Sequence, residues 1–295
     1  MGQLKRIVIS DDLCSGGEMA VQAAQVLADR DGALKLVHVV EPHLFSRRAT
    51  LSFADLPTFE DIVRTAKGEL EKRAARSTHP RVESEVRTGK PFVELIATCR
   101  AWQGDLLVVG ISVKEEEHTL GSTSERVVRK APVPVLVIKK PLSVGPKTVL
   151  VPTDFSACAA KAAEEALTLV RSFGGRVIFL HALDIHSAYP AAYGVNTLRL
   201  PPLQDSPSEA EWQAFLAGLS SLENLSWEKR TEEGQAAATI VRLAEESKAD
   251  LIVMGTHGRS GLKHMLLGSV AEQVVRTAAC STLSIRPDNF AFELP

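Results

Sequence analysis

Gly255, Gly258 and Gly268, with Ser269 directly behind the last, stand in the stretch GTHGRSGLKHMLLGS at the end of the apolar run DLIVM. Glycine in such a place suits a backbone turn with φ above zero, or a group that approaches the main chain closely. A strand that runs into glycines and then a helix N-terminus makes phosphate-binding geometry. Backbone N–H groups point into a concavity there, and the helix dipole adds positive potential. Gly268 and Ser269 open a helical pattern that continues through Val270, Val274 and Val275, so the Ser269 hydroxyl can cap that helix or meet a phosphate oxygen. Arg259, Lys263 and His264 lie in the intervening loop and would add charge. The same residues also suit a plain turn joining strand to helix, with serine as its cap.

The general nucleotide and hydrolase signatures do not fit. There is no GxxxxGK[ST], no GxGxxG after a first strand, and no GxSxG elbow. A zinc site needs three or four convergent ligands. The histidines offer only pairs, His257 with His264 and His181 with His186, so no protein-held metal is expected. Ser156 follows Asp154 with no histidine placed to activate it, and reads as a helix N-cap. The segment 187–210 holds both tyrosines and four prolines, and could cover a ligand or a partner surface.

The elements that must position these residues appear twice. GSTSERVVRKAPVPVLVI from Gly121 matches GSVAEQVVRTAACSTLSI from Gly268 at nine of eighteen positions. Upstream, GDLLVVG ending at Gly110 matches ADLIVMG ending at Gly255. RIVISDD from Arg6 parallels TVLVPTDF from Thr148, read as placing Asp11 opposite Asp154, and LVHVVE with FLHALD places His38 opposite His181. The chain is two copies of one unit. The expected domains are 1–141 and 146–290, joined by KKPLSVGPK at 139–147.

In the first copy, strands are expected near 5–10, 34–40, 81–86, 105–110 and 133–139, with helices near 15–30, 60–77, 91–102 and 120–130. The second repeats this with strands near 147–152, 176–182, 226–231, 250–254 and 281–286, and helices near 157–173, 208–222, 236–247 and 267–278. Runs such as LLVVG and LIVMG, apolar on consecutive residues, suit parallel strands covered on both faces. The expected fold class is α/β, as two tandem doubly wound five-stranded parallel-sheet domains of flavodoxin or Rossmann type. In such sheets ligands sit outside the carboxyl ends of the strands where the winding reverses, and Asp154 and Gly255 both stand just there.

The pattern Gly-x2-Gly-x9-Gly-Ser, met by Gly255, Gly258, Gly268 and Ser269, resembles the ATP-binding signature of universal stress proteins. VPTDFS with Asp154, LHAL with His181, and DLIVMGTHG are similar to that family too, and the resemblance covers nearly the whole chain. It implies an adenine nucleotide alpha hydrolase-like fold and an adenine pocket around Asp154 and the backbone at Ala182. Ribose and triphosphate would run along Gly255, Gly258, Gly268 and Ser269. Pro152, Thr153, His257 and Arg259, inside the same motifs, complete the candidate set. The implied ligand is ATP, with Mg²⁺ travelling on the nucleotide.

The first copy departs from the pattern. Val113 stands where the second copy has Gly258, and Glu115, Glu116 and Glu117 fill the loop that would hold phosphates. Carboxylates repel a triphosphate, so the first copy is expected to leave ATP unbound.

A net charge of −2 gives no electrostatic reason to expect nucleic acid or an anionic membrane as partner. No run approaches eighteen apolar residues, and four scattered cysteines without a CxxC suit a reducing cytoplasmic setting. Two function classes follow. One is an ATP-binding stress-response regulator or nucleotide sensor, with at most slow hydrolysis because no dedicated catalytic base is visible. The other is a structural or protein-interaction module with incidental nucleotide. In either, the resemblance implies that the two copies pair within the chain through their last strands, leaving a further homodimer and an unidentified regulatory protein partner open.

Overall fold

The computed structural model describes residues 4–42, 57–111, 121–183, 209–258, 267–287 and 290. The chain divides into two compact units, one reaching to Gly145 and the other spanning Pro146–Pro287.

The first unit runs β1 (Arg6–Ser10), α1 (Ser15–Leu27), β2 (Ala33–Val40), α2 (Phe59–Ala75), β3 (Val82–Thr88), α3 (Pro91–Ala101), β4 (Leu106–Gly110), α4 (Ser122–Lys130) and β5 (Val135–Ile138). The second runs β6 (Thr148–Pro152), α5 (Ala157–Phe173), β7 (Arg176–Leu183), α6 (Glu209–Ala217), β8 (Ser226–Glu233), α7 (Ala236–Glu246), β9 (Leu251–Gly255), α8 (Ser269–Thr277) and β10 (Ser281–Ile285). Each unit holds a parallel five-stranded sheet, in the order β3-β2-β1-β4-β5 in the first and β8-β7-β6-β9-β10 in the second. The α/β doubly wound expectation holds for both copies.

Burial explains the strand types. Ile7, Val8 and Ile9 of β1 and Val149, Leu150 and Val151 of β6 have no solvent exposure, because helices cover both faces. The outer strands β3 and β8 read VESEVRT and SWEKRTEE, with charges that guard an edge against pairing with another chain. Helix starts are set by local chemistry. Thr58 and Asp61 form a capping box on α2, Pro91 sits in the first turn of α3, and Ser156 accepts from the Ala159 N–H at 3.2 Å to cap α5.

Matching bonds fix the correspondence of the copies. Asp105 accepts from the N–H groups of Lys5 and Arg6, and Asp250 accepts from those of Lys147 and Thr148. His38 Nδ1 donates to the Asp11 carbonyl at 2.7 Å, and His181 Nδ1 donates to the Thr153 carbonyl at 2.8 Å. Asp11 therefore corresponds to Thr153, and Asp12 to Asp154. The sequence pairing of Asp11 with Asp154 is corrected by one residue. The left-handed residues that follow, Leu13 at φ 59° and Phe155 at φ 61°, agree with this register.

In both units the chain winds outward from its first strand to the third and returns beside the first with the fourth. The units differ at that switch. Paired register between β1 and β4 extends to Ser10↔Val109, whereas β6 and β9 stop at Leu150↔Ile252. Pro152 stands where the first unit has Ser10, and proline has no N–H to carry a ladder further. The second unit opens at the strand ends.

Candidate nucleotide site

A cavity of about 260 Å³ lies beyond those strand ends in the second unit. Pro152, Thr153 and Asp154 reach it from the end of β6, and Ala182 from β7. Gly255, His257 and Gly258 line it from β9 and the residues after it, and Gly268 and Ser269 from the start of α8. These nine sequence candidates meet around one space. The tenth, Arg259, lies outside the described residues, as do Lys263 and His264. So do His186 and all of 187–208.

The glycines serve close approach, not a left-handed turn. Among the described glycines, those with φ in the left-handed region are 89, 145, 174, 175 and 234, and none is in the motif. A Cβ on Gly255 would fall 2.9 Å from Cys158 Sγ, where the first turn of α5 packs against the end of β9. On Gly258 it would fall 2.7 Å from Asp154 Oδ2. On Gly268 it would come within 3.2 Å of the Thr256 carbonyl, which accepts the Gly268 N–H at 2.8 Å and so ties the start of α8 to the residue after β9. Thr256, fully buried, also places its N–H and hydroxyl on the Ile285 carbonyl at 2.9 and 3.1 Å. Loop and sheet are thereby tied at one point.

Three helix starts border the cavity, through Ala159 of α5, Ala236 of α7 and Ser269 of α8. Two are capped by side chains, with Ser156 on Ala159 N and Gln235 on Ala238 N. The third has Gly268 as N-cap and no side-chain bond, so the first N–H groups of α8 are left to the cavity. Opposite them, Asp154 Oδ1 accepts from Ser156 N at 3.1 Å, while its other oxygen is the atom nearest Gly258.

Ala182 offers backbone groups. Leu180 accepts from Thr153 on the β6 side, and Leu183 accepts from Gly234 on the β8 side. Alternation turns the Ala182 N–H and C=O toward the β6 side, past the point where β6 ends. Thr256, Ala236 and Ile240 also line the cavity and were not sequence candidates. Thr256 sits inside the motif and could have been read from it. The α7 residues carry no motif and come in only through the winding of the sheet.

At the corresponding strand ends of the first unit the described residues crowd more closely. Gly16 and Gly17 replace Cys158 and Ala159, and without side chains α1 sinks until the Gly16 carbonyl occupies the place a Cβ on Gly110 would take. Asp12, the counterpart of Asp154, accepts through Oδ1 from both Cys14 N and Gly17 N at 2.8 Å, which ties it to the start of α1. Asp11 is buried and ion-paired at 2.6 Å with Arg73 of α2, whose guanidinium also donates to the Cys14 carbonyl. A Cβ at Gly17, where the second unit has the cavity-lining Ala159, would collide with that pair. Burial pushes the Asp11 carboxyl above the ordinary aspartate range, against the pull of the Leu13 N–H and of Arg73. Val113 and Glu115–Glu117 lie outside the described residues.

Among the described residues no three His, Cys, Asp or Glu side chains converge as a metal ion would require, and no helix is long and apolar enough to cross a membrane.

The sequence profile of the universal stress protein family matches residues 3–139 and again 145–286. A universal stress protein of Methanocaldococcus jannaschii is 32% identical over 154 residues, covering 48% of this chain and 82% of its own. One from Synechocystis is 23% identical over 310 residues, covering 96% of this chain and all of its own. Among solved structures, a putative universal stress protein of Pseudomonas aeruginosa superposes with a TM-score of 0.67 at 20% identity, over 98% of this chain and 95% of that one. With the family's profile met once in each half, the chain belongs to the universal stress protein family as a tandem of two such domains.

Proposed function

We propose that the second unit binds one adenine nucleotide, ATP with its Mg²⁺, and that the protein acts as a stress-response nucleotide sensor with at most slow hydrolysis. The observation that carries this reading is the uncapped start of α8 at Gly268–Ser269, bordering a cavity whose far wall carries Asp154. N–H groups at a helix start suit phosphate oxygens, and an aspartate suits a ribose hydroxyl or an adenine amino group. The first unit is read as empty of nucleotide, since its Asp12 caps α1 and the Asp11–Arg73 pair fills the place of the Ala159 methyl. Four free cysteines, three of them buried, suit the cytoplasmic location that belongs to the same reading.

Calorimetric titration of the full chain with ATP and Mg²⁺ is expected to give one site per chain, and two sites would overturn the assignment to the second unit. Asp12→Ala should leave both affinity and stoichiometry unchanged. Base selectivity is expected as well. Adenine presents a donor beside an acceptor, which the Ala182 C=O and N–H complement, whereas guanine presents the reverse order. GTP should bind about 10–100-fold more weakly than ATP. Equal affinities in competition would remove Ala182 from the base site.

The same reading has the copies pair within the chain through their last strands. Its support is the apolar run at 133–138, a hazard if left bare, and a short linker that raises effective concentration. Residues 146–290 expressed alone should then self-associate in sedimentation, and a monomeric piece would count against the pairing.

A further inference from the structure

Phe155 sits between the ligand-facing Asp154 and Ser156, the N-cap of α5, and it is one of five described non-glycine residues with a left-handed φ. Its ring stacks on His181 at 4.8 Å between centroids, and His181 lines the cavity. On its other sides it meets Trp212 edge-on at 5.0 Å and Phe215 at 5.6 Å. Those two residues are the buried side chains of α6, spaced three apart so that they fall on one face. Trp212 is fixed further by its indole N–H on Thr231 Oγ1 of β8 at 3.2 Å. The seat of α6 is thus an aromatic cluster built on the residue that follows the ligand acceptor.

The first unit shows what the arrangement adds. Leu13 takes the place of Phe155 with a like left-handed φ, and α2 reaches the same turn through Arg73 on Asp11 instead. The left-handed turn therefore accepts an aliphatic side chain, and the aromatic link belongs to the second unit.

We propose that Phe155 is a positioning residue that couples the cavity to α6. A ligand that engages Asp154 and packs against His181 fixes the Phe155 ring from two sides, and the ring fixes Trp212 and Phe215. The helix is then the element through which the second unit registers an occupied site. This rests on the nucleotide reading above and adds to it where the signal emerges.

Hydrogen–deuterium exchange of the full chain tests the coupling without any substitution. Saturating ATP with Mg²⁺ should slow exchange across residues 209–217 about fivefold or more. Phe155→Leu, which copies the residue the first unit tolerates, should keep one ATP per chain in calorimetry and lose that slowing. Calorimetric binding with unchanged exchange at 209–217 sinks the coupling alone, as does a Phe155→Leu chain that retains the full response. A wild-type chain that binds no ATP sinks the nucleotide reading and the coupling with it.

Discussion

Gly258→Val is expected to weaken ATP binding to the whole chain about 100-fold or more in a calorimetric titration. A Cβ at this position falls 2.7 Å from Asp154 Oδ2, closer than a carbon and an oxygen can rest. The carboxylate must rotate away from the cavity or the loop must withdraw, and either loses a charge-assisted bond of about 1.5–3 kcal/mol, roughly 10–150-fold in affinity. The two methyls of valine add bulk at the cavity wall. Gly258→Ala, with the same Cβ and no methyls beyond it, should fall between wild type and valine. Because Gly258 is exposed, the melting midpoint should hardly move, so loss of binding cannot be mistaken for loss of fold. A valine variant that still binds one ATP with unchanged affinity would remove Gly258 and Asp154 from the site.

The physical reason for that effect was not legible in the sequence. Glycine spacing marks where the chain needs an absent side chain, but a left-handed φ and a close neighbour leave the same mark. Only the neighbours of Gly255, Gly258 and Gly268 separate the two, and they lie on other elements, at Cys158, Asp154 and Thr256. The strands, by contrast, were legible to within a few residues. LLVVG and LIVMG are apolar on consecutive positions, and burial on both faces of a parallel sheet demands that pattern. The expected helix at 208–222 ends at Ala217, before the loop that leads to β8. Its apolar residues Leu219 and Leu222 extended the helical pattern past its end.

The copy alignment went astray at a different kind of place. RIVISDD offers two adjacent aspartates against one in TVLVPTDF, and the matching bonds of the two units, those from His38 and His181 among them, show which of them matches Asp154. The error matters, because the true counterpart Asp12 is bound to the start of α1, and Asp11 faces Arg73. The proposed asymmetry, read first from Val113 and the three glutamates, also draws on residues distant from them in the sequence. Asp12, Gly16 and Gly17 are ordinary residues of one short segment, and only the fold brings Arg73 and Gly110 to them.

Arg73→Met should destabilise the first unit by about 3 kcal/mol, roughly 10 °C in its melting midpoint, while the chain still binds one ATP. The Asp11 side chain is fully buried, its Oδ2 has no hydrogen-bond partner among the described residues, and Arg73 is the cation at its Oδ1. Methionine keeps the stem of the side chain and removes the charge, leaving a carboxylate held in a dry site by the Leu13 N–H. The pH dependence has a definite sign. Burial already raises the Asp11 pKa above its unfolded value, and losing Arg73 raises it further. The folded variant then binds the proton more tightly than the unfolded chain does. Its penalty is therefore full at neutral pH, where the carboxyl is ionised, and fades as pH falls through the raised pKa, because a neutral carboxyl needs no cation. The midpoint gap between variant and wild type should shrink on acidification from about pH 7 toward the ordinary carboxylate range. Asp11→Asn offers the complementary test. It keeps the acceptor for Leu13 and Arg73, removes the buried charge, and leaves a guanidinium with enough exposure to meet water, so it should cost about 1 kcal/mol or less. Thermal melts at several pH values check all three. A gap that widens on acidification, or an asparagine variant as unstable as the methionine one, would mean that the ion pair is not what holds the first unit shut.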